Sequence, residues 1–476
     1  MPSQAASDRT ATAAHRWTYP FAPRESPKAF LNTLFTALDN TNVRYCVLHS
    51  WEELPEKLSS DLDIAVHPED LSKLPLVFRT LREHGYTAVQ VLNYFVSAYY
   101  FVFSWFTGSL VNSVAVDIIF EHRRGGLTVP SGEALVSNRR RQHMFWTPGP
   151  ESEFTYLLSK KIWKGAAPPK QANRLRTLVK ELGQPAAERL ASELFLGKSA
   201  KCVVDACANG SVDALCKKMK GHTWTTSLVR NPFMLVGYLF SEVVRRVRRW
   251  LQPTGLFVVV AGPDGAGKST LIDRLVQTVG PAFRRHEVFH WRPMLLWRRN
   301  NTRDTTQPHS DPADGLCWSV ARLFAYLFDY WLGYLFLVRP SLARSGLVVF
   351  DRYFDDLRID PKRYRLGGPL WLVELLRWVV PDPDLVLVLD ADENVVFSRK
   401  QEVQLTEIQR QRALYRAMKA RSVDARIVDA SASIAEVEAE SARAIFQYLA
   451  LRLERRHARW LSLEQQTGLP GLNTRY

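Results

Sequence analysis

Apolar and polar residues follow a regular pattern over the first third of this 476-residue chain. Between residues 28 and 150, short apolar runs are separated by polar breaks, and a helical pattern at 71–84 lies among them. Such runs are typical of β-strands joined by loops. They read VRYCVLHS, LDIAVH, YTAVQVL, YYFVFSWF and SVAVDIIF. The pattern therefore predicts an α/β domain over residues 28–150.

Residues 151–252 carry apolar side chains at the spacing of a helix face instead. The segments EFTYLLSKKIW, ANRLRTLVKEL, AAERLASELFL and DALCKKMK share this spacing, so we predict a helical region. It ends in a basic linker helix, and the Pro-Thr-Gly break that follows marks a domain boundary. The basic residues of that helix are Arg245, Arg246, Arg248 and Arg249.

Strand, loop and helix patterns alternate again over residues 253–452, which is typical of a parallel sheet with helices on both faces. The predicted fold class is therefore α/β, with two α/β domains and a helical middle. Residues 1–27 are polar, lack the apolar stretch of a secretory signal and are predicted to form a disordered lead-in. Residues 453–476 are predicted to form a C-terminal tail.

One apolar segment, residues 318–338, is about long enough to cross a bilayer. Arg322 and Asp329 interrupt it, and charges at the centre of a helix are costly in lipid. We therefore expect a long buried helix and no transmembrane span.

The amino-acid composition excludes few classes of function. The net charge of +15 and the sequence pI near 9.6 suit a protein that handles phosphates, nucleic acid or an anionic membrane surface. The arginine-rich linker helix allows peripheral contact with anionic lipid, although a solvated helix face explains it equally well. The five cysteines are scattered without a Cys-x-x-Cys pair, which favours a reducing, cytoplasmic location without a disulfide framework or zinc site.

The most informative motif is a glycine-rich loop between an apolar strand and a helix, in LFVVVAGPDGAGKSTLIDRLVQTV. It matches G-x-x-x-x-G-K-[ST], the P-loop that binds the phosphates of ATP. Glycines let successive backbone N–H groups point at phosphate oxygens, the lysine reaches the β- and γ-phosphates, and the serine hydroxyl ligates Mg²⁺. The predicted ATP-binding residues are Gly262, Pro263, Asp264, Gly265, Ala266, Gly267, Lys268, Ser269 and Thr270.

A second motif, SGLVVFDRYFDD, has an apolar strand that ends in Asp351. This is the form of a Walker B strand, whose carboxylate lies near the metal ion. We predict Ser269 and Asp351 as Mg²⁺ ligands, with Arg352 directed at a phosphate acceptor.

These motifs resemble those of thymidylate kinases and the wider nucleoside monophosphate kinase group, and the resemblance covers residues 256–447. That group has an acidic residue in the P-loop, matched by Asp264, and an Asp-Arg-Tyr motif, matched by Asp351 to Tyr353. The stretch 381–415 is similar to the family's Pro-Asp-Leu strand and the arginine-containing lid that follows it.

The resemblance implies a set of catalytic roles besides that of Lys268. Arg352 would clamp the acceptor phosphate, and Asp264 would contact the acceptor sugar or orient its phosphate. Arg399, together with Arg410 or Arg412, would stabilise charge on the phosphoryl group during transfer.

The chain departs from the family where the acceptor would bind. Arg292-Pro293 stands where thymidylate kinases usually have Arg-Glu-Pro-Gly, and the loop 296–315 is long and polar. The segment after Tyr353 also differs, with Asp355, Asp360, Arg363 and Arg365. The sequence therefore supports ATP as donor better than thymidylate as acceptor.

The N-terminal domain holds a second group of acidic residues. Asp61 and Asp63 lie at the start of one apolar strand. Because strand side chains alternate between the two faces, residues two positions apart share a face, and Asp61 and Asp63 are predicted to point the same way. Asp117 lies in another strand, and if the two strands are neighbours the three carboxylates form a predicted Mg²⁺ site.

This arrangement resembles the minimal nucleotidyltransferases, whose signature is a glycine pair or Gly-Ser, about ten residues, Asp-x-Asp and a later Asp. His49-Ser50 occupies the first position, so histidine replaces the family's glycine. The resemblance implies a nucleotidyltransferase-like module followed by a helical companion, and leaves its activity open because of His49.

Together these features predict an ATP- and Mg²⁺-dependent kinase of a small phosphorylated acceptor, fused to a nucleotidyltransferase-like module. Two alternatives stay open. One is a kinase or nucleotidyltransferase that acts on a nucleic-acid end or a tRNA, and the other is a nucleotide-regulated binding module without turnover.

Overall fold

The computed structural model describes residues 27–95, 97–108, 110–295, 312–399, 404–421 and 424–456. Nearly all of the predicted lead-in 1–27, most of the tail 453–476 and most of the loop 296–315 lie outside the described residues. Mixed and parallel sheets with many helices confirm the predicted α/β class.

The N-terminal part is built on a five-stranded sheet. Its elements are α1 Lys28–Asn40, β1 Tyr45–Val47, β2 Leu62–Val66, a 3-10 helix Pro68–Lys73, α2 Leu74–Glu83, β3 Thr87–Phe95, β4 Ala98–Thr107, β5 Leu110–Ile119, β6 Arg123–Arg124, β7 Leu127–Thr128, α3 Gly132–Ser137, β8 Arg140–Gln142 and β9 Phe145–Thr147. The strand order is β1-β2-β5-β4-β3, and β2 with β5 is its parallel pair. That pair places Asp63 directly beside Asp117.

The two faces of this sheet are buried in different ways. One face packs on α1 and α2 through apolar residues such as Phe30 and Phe103. The other face of β3, β4 and β5 shares a core with the C-terminal part of the chain, where the ring of Phe106 meets that of Phe446 edge-on at 5.9 Å. Burial of large apolar side chains is the main favourable term in packing, so the N- and C-terminal parts are held together by a common core.

The middle of the chain is helical, as predicted. It contains α4 Pro150–Lys164, α5 Pro169–Leu182, α6 Gln184–Ser192, α7 Lys198–Asn209, α8 Val212–Arg230 and α9 Pro232–Leu251. Helices α4 to α8 enclose a core of their own with Leu157, Leu175 and Val203. Helix α9 contributes little to any core, since Tyr238 is its buried residue.

The C-terminal part is a parallel sheet in the order β11-β12-β10-β13-β14. Its elements are β10 Leu256–Ala261, α10 Lys268–Val279, a 3-10 turn Gly280–Ala282, β11 Arg285–His290, α11 Leu316–Gly333, a π-helical turn Tyr334–Val338, α12 Arg339–Ala343, β12 Gly346–Asp351, α13 Asp356–Ile359, α14 Leu370–Arg377, β13 Leu385–Asp390, α15 Glu393–Arg399, α16 Leu405–Arg421, β14 Ala425–Asp429 and α17 Ile434–Arg456. The central strand β10 is buried throughout, as expected of a strand covered on both faces.

Helix α11 corrects one expectation, because it is not buried all round. Leu323, Leu327 and Tyr330 face the core, whereas Phe328 and Trp331 on other sides are exposed. Among the described residues, Leu316–Ala343 is the helical segment long and apolar enough to cross a membrane by length and composition, and 28% of its most apolar window is buried. A core helix is covered far more completely than this.

Candidate active site

The glycine-rich loop connects the end of β10 to the start of α10. Gly262 has a backbone φ of +151°, and a Cβ there would lie 2.7 Å from the carbonyl oxygen of Leu389. Gly267 has a φ of +87° and precedes the first turn of α10. Both positions therefore require glycine. Pro263, Gly265, Ala266 and Thr270 complete this loop and the first helical turn, whose N–H groups and dipole favour a phosphate.

Lys268 is folded back over this loop. Its Nζ donates to the carbonyl oxygens of Gly262 and Pro263 at 2.9 and 2.8 Å, and it lies 3.6 Å from a carboxylate oxygen of Asp264. Burial, and then the nearby charge of Arg352, lower the pKa of Lys268 to about 8. The charged lysine is thus held where an anionic ligand of the loop would stabilise it.

Asp351 lies at the carboxyl end of β12, directly beside Val260 of β10. One carboxylate oxygen, Oδ2, lies 3.2 Å from Nδ1 of His290. The other, Oδ1, is buried without a hydrogen-bond partner in the described part of the chain. Burial raises the pKa of Asp351, but the hydrogen bond from His290 and the charge of Lys268 outweigh it and keep that pKa below its ordinary value.

A buried, ionised carboxylate oxygen without a partner is a suitable ligand for a hard cation. Ser269 is exposed in the first turn of α10, so its hydroxyl is available as a second oxygen ligand. These two residues therefore fit the predicted Mg²⁺ site.

Arg352 connects the phosphate loop to the segment after β12. Its backbone φ is +74°, and its N–H bonds to the carbonyl oxygen of Val260 at 3.0 Å. Nη1 donates to Asp356 at 2.7 Å, and Nη2 donates to Asp264 in the phosphate loop. Nη1 of Arg363 donates to the second oxygen of Asp264. Two guanidinium groups thus converge on one carboxylate at the mouth of the loop.

Asp356 is the inner anchor of this network. It is 1% exposed, and besides Arg352 it accepts a hydrogen bond from the Tyr415 hydroxyl at 2.9 Å. Tyr415 belongs to α16, so the phosphate loop, the end of β12 and α16 are joined through Asp264, Arg352 and Asp356.

Aromatic rings line the neighbouring loop after β11. Trp291 stacks on Tyr364 with ring centroids 4.3 Å apart and meets Tyr326 of α11 edge-on at 4.8 Å. Arg292 donates to Asp329 of α11 at 2.9 Å, with Asp329 fully buried. The buried carboxylate of Asp329 thus fixes the loop after β11 to helix α11.

The predicted lid arginines lie on α15 and α16. Arg399 donates to the carbonyl oxygen of Ala430 at 3.3 Å. Arg410 donates to the carbonyl oxygen of Ile359 at 2.6 Å and pairs with Glu407. Arg412 is bound to Asp390 at the end of β13, at 2.5 Å. The structure therefore places Arg410 near the segment after Arg352, and Arg399 and Arg412 at the ends of β14 and β13.

The three N-terminal aspartates lie at one end of β2 and β5. Asp61 and Asp117 are both affected by the charge of Asp63. Burial, and then that charge, raise the pKa of Asp117 to about 7 and also raise the pKa of Asp61. Asp63 and Asp117 are register partners on the neighbouring parallel strands β2 and β5, so two of the three predicted carboxylates lie side by side.

The predicted metal site on these aspartates stays a prediction. Within the described ranges, His, Cys, Asp and Glu side chains do not come together in a group of three that would hold a metal ion. Asp63 is instead bound by cationic or polar nitrogens, with Lys160 Nζ at 3.1 Å and His49 Nε2 at 2.8 Å. Lys160 also reaches His49 at 2.6 Å and the Tyr156 hydroxyl at 3.0 Å. An ammonium group thus supplies positive charge beside Asp63.

Sequence reasoning missed Lys160, His290 and Asp356 as parts of these sites. Lys160 comes from α4, about a hundred residues after Asp63, and has no local signal in a helix with neighbouring lysines. Asp356 had a weak signal, since it follows Arg352 by four residues in an acidic run.

Comparisons with known proteins bear on the C-terminal motifs. No protein-family model matches the chain. The thymidylate kinase of Xanthomonas euvesicatoria pv. vesicatoria (strain 85-10) is 32% identical over 142 residues, which are 29% of this chain and 58% of that kinase. The thymidylate kinase of Leifsonia xyli subsp. xyli (strain CTCB07) is 28% identical over 208 residues, which are 39% of this chain and 92% of that kinase.

The chain thus spans 58% of the length of the Xanthomonas relative. Part of the chain is similar to thymidylate kinases, and this similarity supports a thymidylate kinase-like P-loop kinase.

Proposed function

We propose that residues 253–452 transfer the γ-phosphate of ATP to a small phosphorylated acceptor, a nucleoside monophosphate or a compound of similar size. One observation carries this proposal: Lys268, Asp351 and Arg352 meet at the carboxyl ends of adjacent parallel strands. Ligands of open parallel sheets bind at that edge. The similarity to thymidylate kinases supports the same class of reaction.

The donor side of the proposed site is the phosphate loop. Its backbone N–H groups and Lys268 would hold the β- and γ-phosphates, and Ser269 and Asp351 would hold Mg²⁺. The metal would neutralise charge on the phosphates during transfer. Lys268 would exchange its two carbonyl partners for phosphate oxygens, which favours its charged form.

The acceptor side is proposed to lie beyond Arg352. A phosphate group of the acceptor can replace Asp264 as partner of the Arg352 and Arg363 guanidinium groups. Each arginine donates to a separate oxygen of that carboxylate, and a phosphate offers oxygens to guanidinium groups in the same way. The rings of Trp291 and Tyr364 flank the same side. The similarity to thymidylate kinases supports Arg399 and Arg410 as candidates for charge stabilisation.

The N-terminal part is proposed to have a nucleotidyltransferase-like fold. The parallel pair β2–β5 with Asp63 beside Asp117 supports this proposal. Because Lys160 and His49 bind Asp63, we do not propose a second phosphoryl or nucleotidyl transfer reaction there. The five cysteines are all free, which supports a reducing location such as the cytoplasm.

The acceptor is tested by ADP release from the full-length protein with ATP and Mg²⁺, across thymidylate, other nucleoside monophosphates and sugar phosphates. Stimulation of at least tenfold by one class identifies the acceptor. Stimulation by a nucleic acid alone, with affinity that falls steeply as salt rises, would replace this proposal with the nucleic-acid alternative. ATP binding without transfer to any acceptor would favour a binding module.

A further inference from the structure

Helix α9 exposes an apolar stripe along its whole length. At 100° per residue, the side chains at positions 233, 236, 240, 243, 247 and 251 fall within about a quarter of the helix circumference. They are Phe233, Val236, Phe240, Val243, Val247 and Leu251, and each is more than half exposed. Ordinary surface helices turn such a stripe toward a core. In α9 no described element covers it.

Positive charge borders this stripe on both sides. Arg246 and Arg248 are exposed, and the same 100° spacing places one on each flank of the apolar residues. The acidic residue of the helix, Glu242, is bound to Arg245 at 2.6 Å, and both side chains are largely covered. The outward face of α9 is therefore apolar with a basic rim.

Two other helices extend this apolar surface. In α11, Phe324, Phe328 and Trp331 are exposed. Trp371 in α14 and Trp378 directly after α14 are also exposed, the last by 88%. Hydrogen bonds connect these elements.

The indole N–H of Trp331 donates to the carbonyl oxygen of Val379, just after α14, at 2.7 Å. Arg339 in α12 donates to the carbonyl oxygen of Leu251, at the end of α9, at 2.9 Å. Leu251 at the end of α9 thus lies beside α12, which follows α11 in the chain, and the residues after α14 lie beside α11. We call the exposed apolar residues of α9, α11 and α14, together with Trp378, the apolar surface.

We propose that the apolar surface docks this protein on the surface of an anionic lipid bilayer. Apolar side chains would enter the boundary between headgroups and acyl chains, tryptophan rings would lie at the headgroup level, and Arg246 and Arg248 would contact lipid phosphates. The basic rim favours an anionic bilayer over a neutral one and over a second copy of this chain, whose own rim carries the same charge.

The docking is peripheral. The inner face of α11 is fixed to the protein by Leu323 and Leu327 in the core and by the buried Asp329–Arg292 pair. Moving Asp329 into lipid would break this pair and expose a charge to hydrocarbon, which is costly. Since Asp329 also holds the loop that carries Trp291, the docking helix and the proposed acceptor side are parts of one structural unit.

The test is sedimentation of the full-length protein with vesicles of phosphatidylcholine alone or with 30% phosphatidylglycerol. We expect binding to the anionic vesicles that weakens as salt rises. The variant Phe240→Ser/Val243→Ser/Val247→Ser should lose at least tenfold in affinity, and Arg246→Gln/Arg248→Gln about fivefold or more, with a weaker salt dependence. All five side chains are exposed, so folding should be preserved. Ile434→Ser, an exposed apolar position on α17, is the matched control and should bind like wild type.

Four results would overturn the proposal. One is no binding to anionic vesicles, and the second is equal binding by both variants and wild type. The third is that light scattering shows a concentration-dependent dimer, and that the triple serine variant loses this dimer but still binds vesicles. That result would assign the apolar surface to contact with a second copy of the chain. Resistance to alkaline extraction from membranes would likewise replace peripheral docking with a membrane span.

Discussion

Asp264 in the phosphate loop accepts a hydrogen bond from Arg352 at the end of the neighbouring strand β12. The other arm of Arg352 is bound to Asp356, which Tyr415 of α16 also contacts. The phosphate loop, the proposed acceptor side and helix α16 therefore share one hydrogen-bonded network. A substitution at Asp264 should therefore reduce kcat/KM for the acceptor more than it reduces the affinity for ATP.

Replacement of Asp264 by alanine removes the common partner of Arg352 and Arg363. We predict a fall in kcat/KM for the acceptor of about 10²-fold or more, because both guanidinium groups lose their orientation. ATP affinity should change by less than about threefold, since the backbone of the loop is retained. Steady-state kinetics with each substrate varied in turn measures both effects. Asp273→Ala, at an exposed position on α10, is the control, and a larger loss in ATP affinity than in acceptor use would contradict the network.

Replacement of Arg352 by lysine keeps the charge but not the fork. A lysine cannot donate to Asp264 and Asp356 in the geometry that a planar guanidinium supplies. We expect activity to fall by about 10²-fold or more and the free energy of unfolding to fall by about 1–3 kcal/mol, because one ammonium group cannot bond to both Asp264 and the buried Asp356, so one carboxylate loses its charged hydrogen bond. Urea denaturation and kinetics check this. The partly exposed pair of Arg358 with Glu374 provides the control Arg358→Lys, and a fully active Arg352→Lys would refute the assigned role.

The Lys160 ammonium group supplies positive charge beside Asp63. Its removal should therefore allow Asp61, Asp63 and Asp117 to bind a metal cation. We predict that Lys160→Met is destabilised by about 3–5 kcal/mol, since Asp63 is left buried without this charge. Millimolar Mn²⁺ should then restore part of the lost stability, by about 1 kcal/mol or more.

The double variant Lys160→Met/Asp117→Asn lacks one of the converging carboxylates and is the matched control for Mn²⁺ bound elsewhere. Thermal unfolding with and without Mn²⁺ measures the difference. An equal gain in both variants would show that the aspartates do not bind the ion.

Lys161 gives a pH dependence of stability. Burial, and then the charges of Lys164 and Lys160, lower the pKa of Lys161 to about 8 from an ordinary 10.5. Because the pKa is lower in the folded protein than in the unfolded chain, the charged form of Lys161 destabilises the native state. This loss of stability is present below about pH 8 and disappears as the pH rises toward 10.5. Lys161→Met should therefore raise the free energy of unfolding by about 1–3 kcal/mol at pH 7, with a smaller gain at pH 10.

Urea denaturation of both proteins at the two pH values measures this effect. Lys201→Met, an exposed position on α7, should give the same small change at each pH. A gain by Lys161→Met that is equal at pH 7 and pH 10 would show that Lys161 does not titrate in this range.

Local pattern was sufficient to predict most elements of the fold. The strands around Ile64, Val91, Phe103 and Val116 follow from short apolar runs, and the phosphate loop follows from its glycine spacing, since both signals are confined to a few neighbouring residues. The shared core between Phe106 and Phe446 could not be predicted, because it joins residues more than three hundred positions apart.

The difference between local signals and contacts of distant residues also explains what the sequence missed at the two sites. The sequence indicated that Asp61, Asp63 and Asp117 would converge, but not that Lys160 from a later helix would bind Asp63. It also showed an apolar run at 318–338 without showing which face would be covered. A run that is apolar all round predicts burial, yet tertiary packing covered the side of Leu327 and left that of Phe328 exposed.

Lys268 and its loop are proposed to catalyse phosphoryl transfer from ATP. The direct measurement is ADP release by full-length wild type and by Lys268→Ala, with ATP, Mg²⁺ and the acceptor panel, and with the exposed Lys201→Ala as control. We expect acceptor-stimulated release by wild type and by the control. Lys268→Ala should lose about 10³-fold or more in rate, because negative charge on the transferring phosphate is then left without its cation. Equal release by Lys268→Ala and wild type would contradict this proposal.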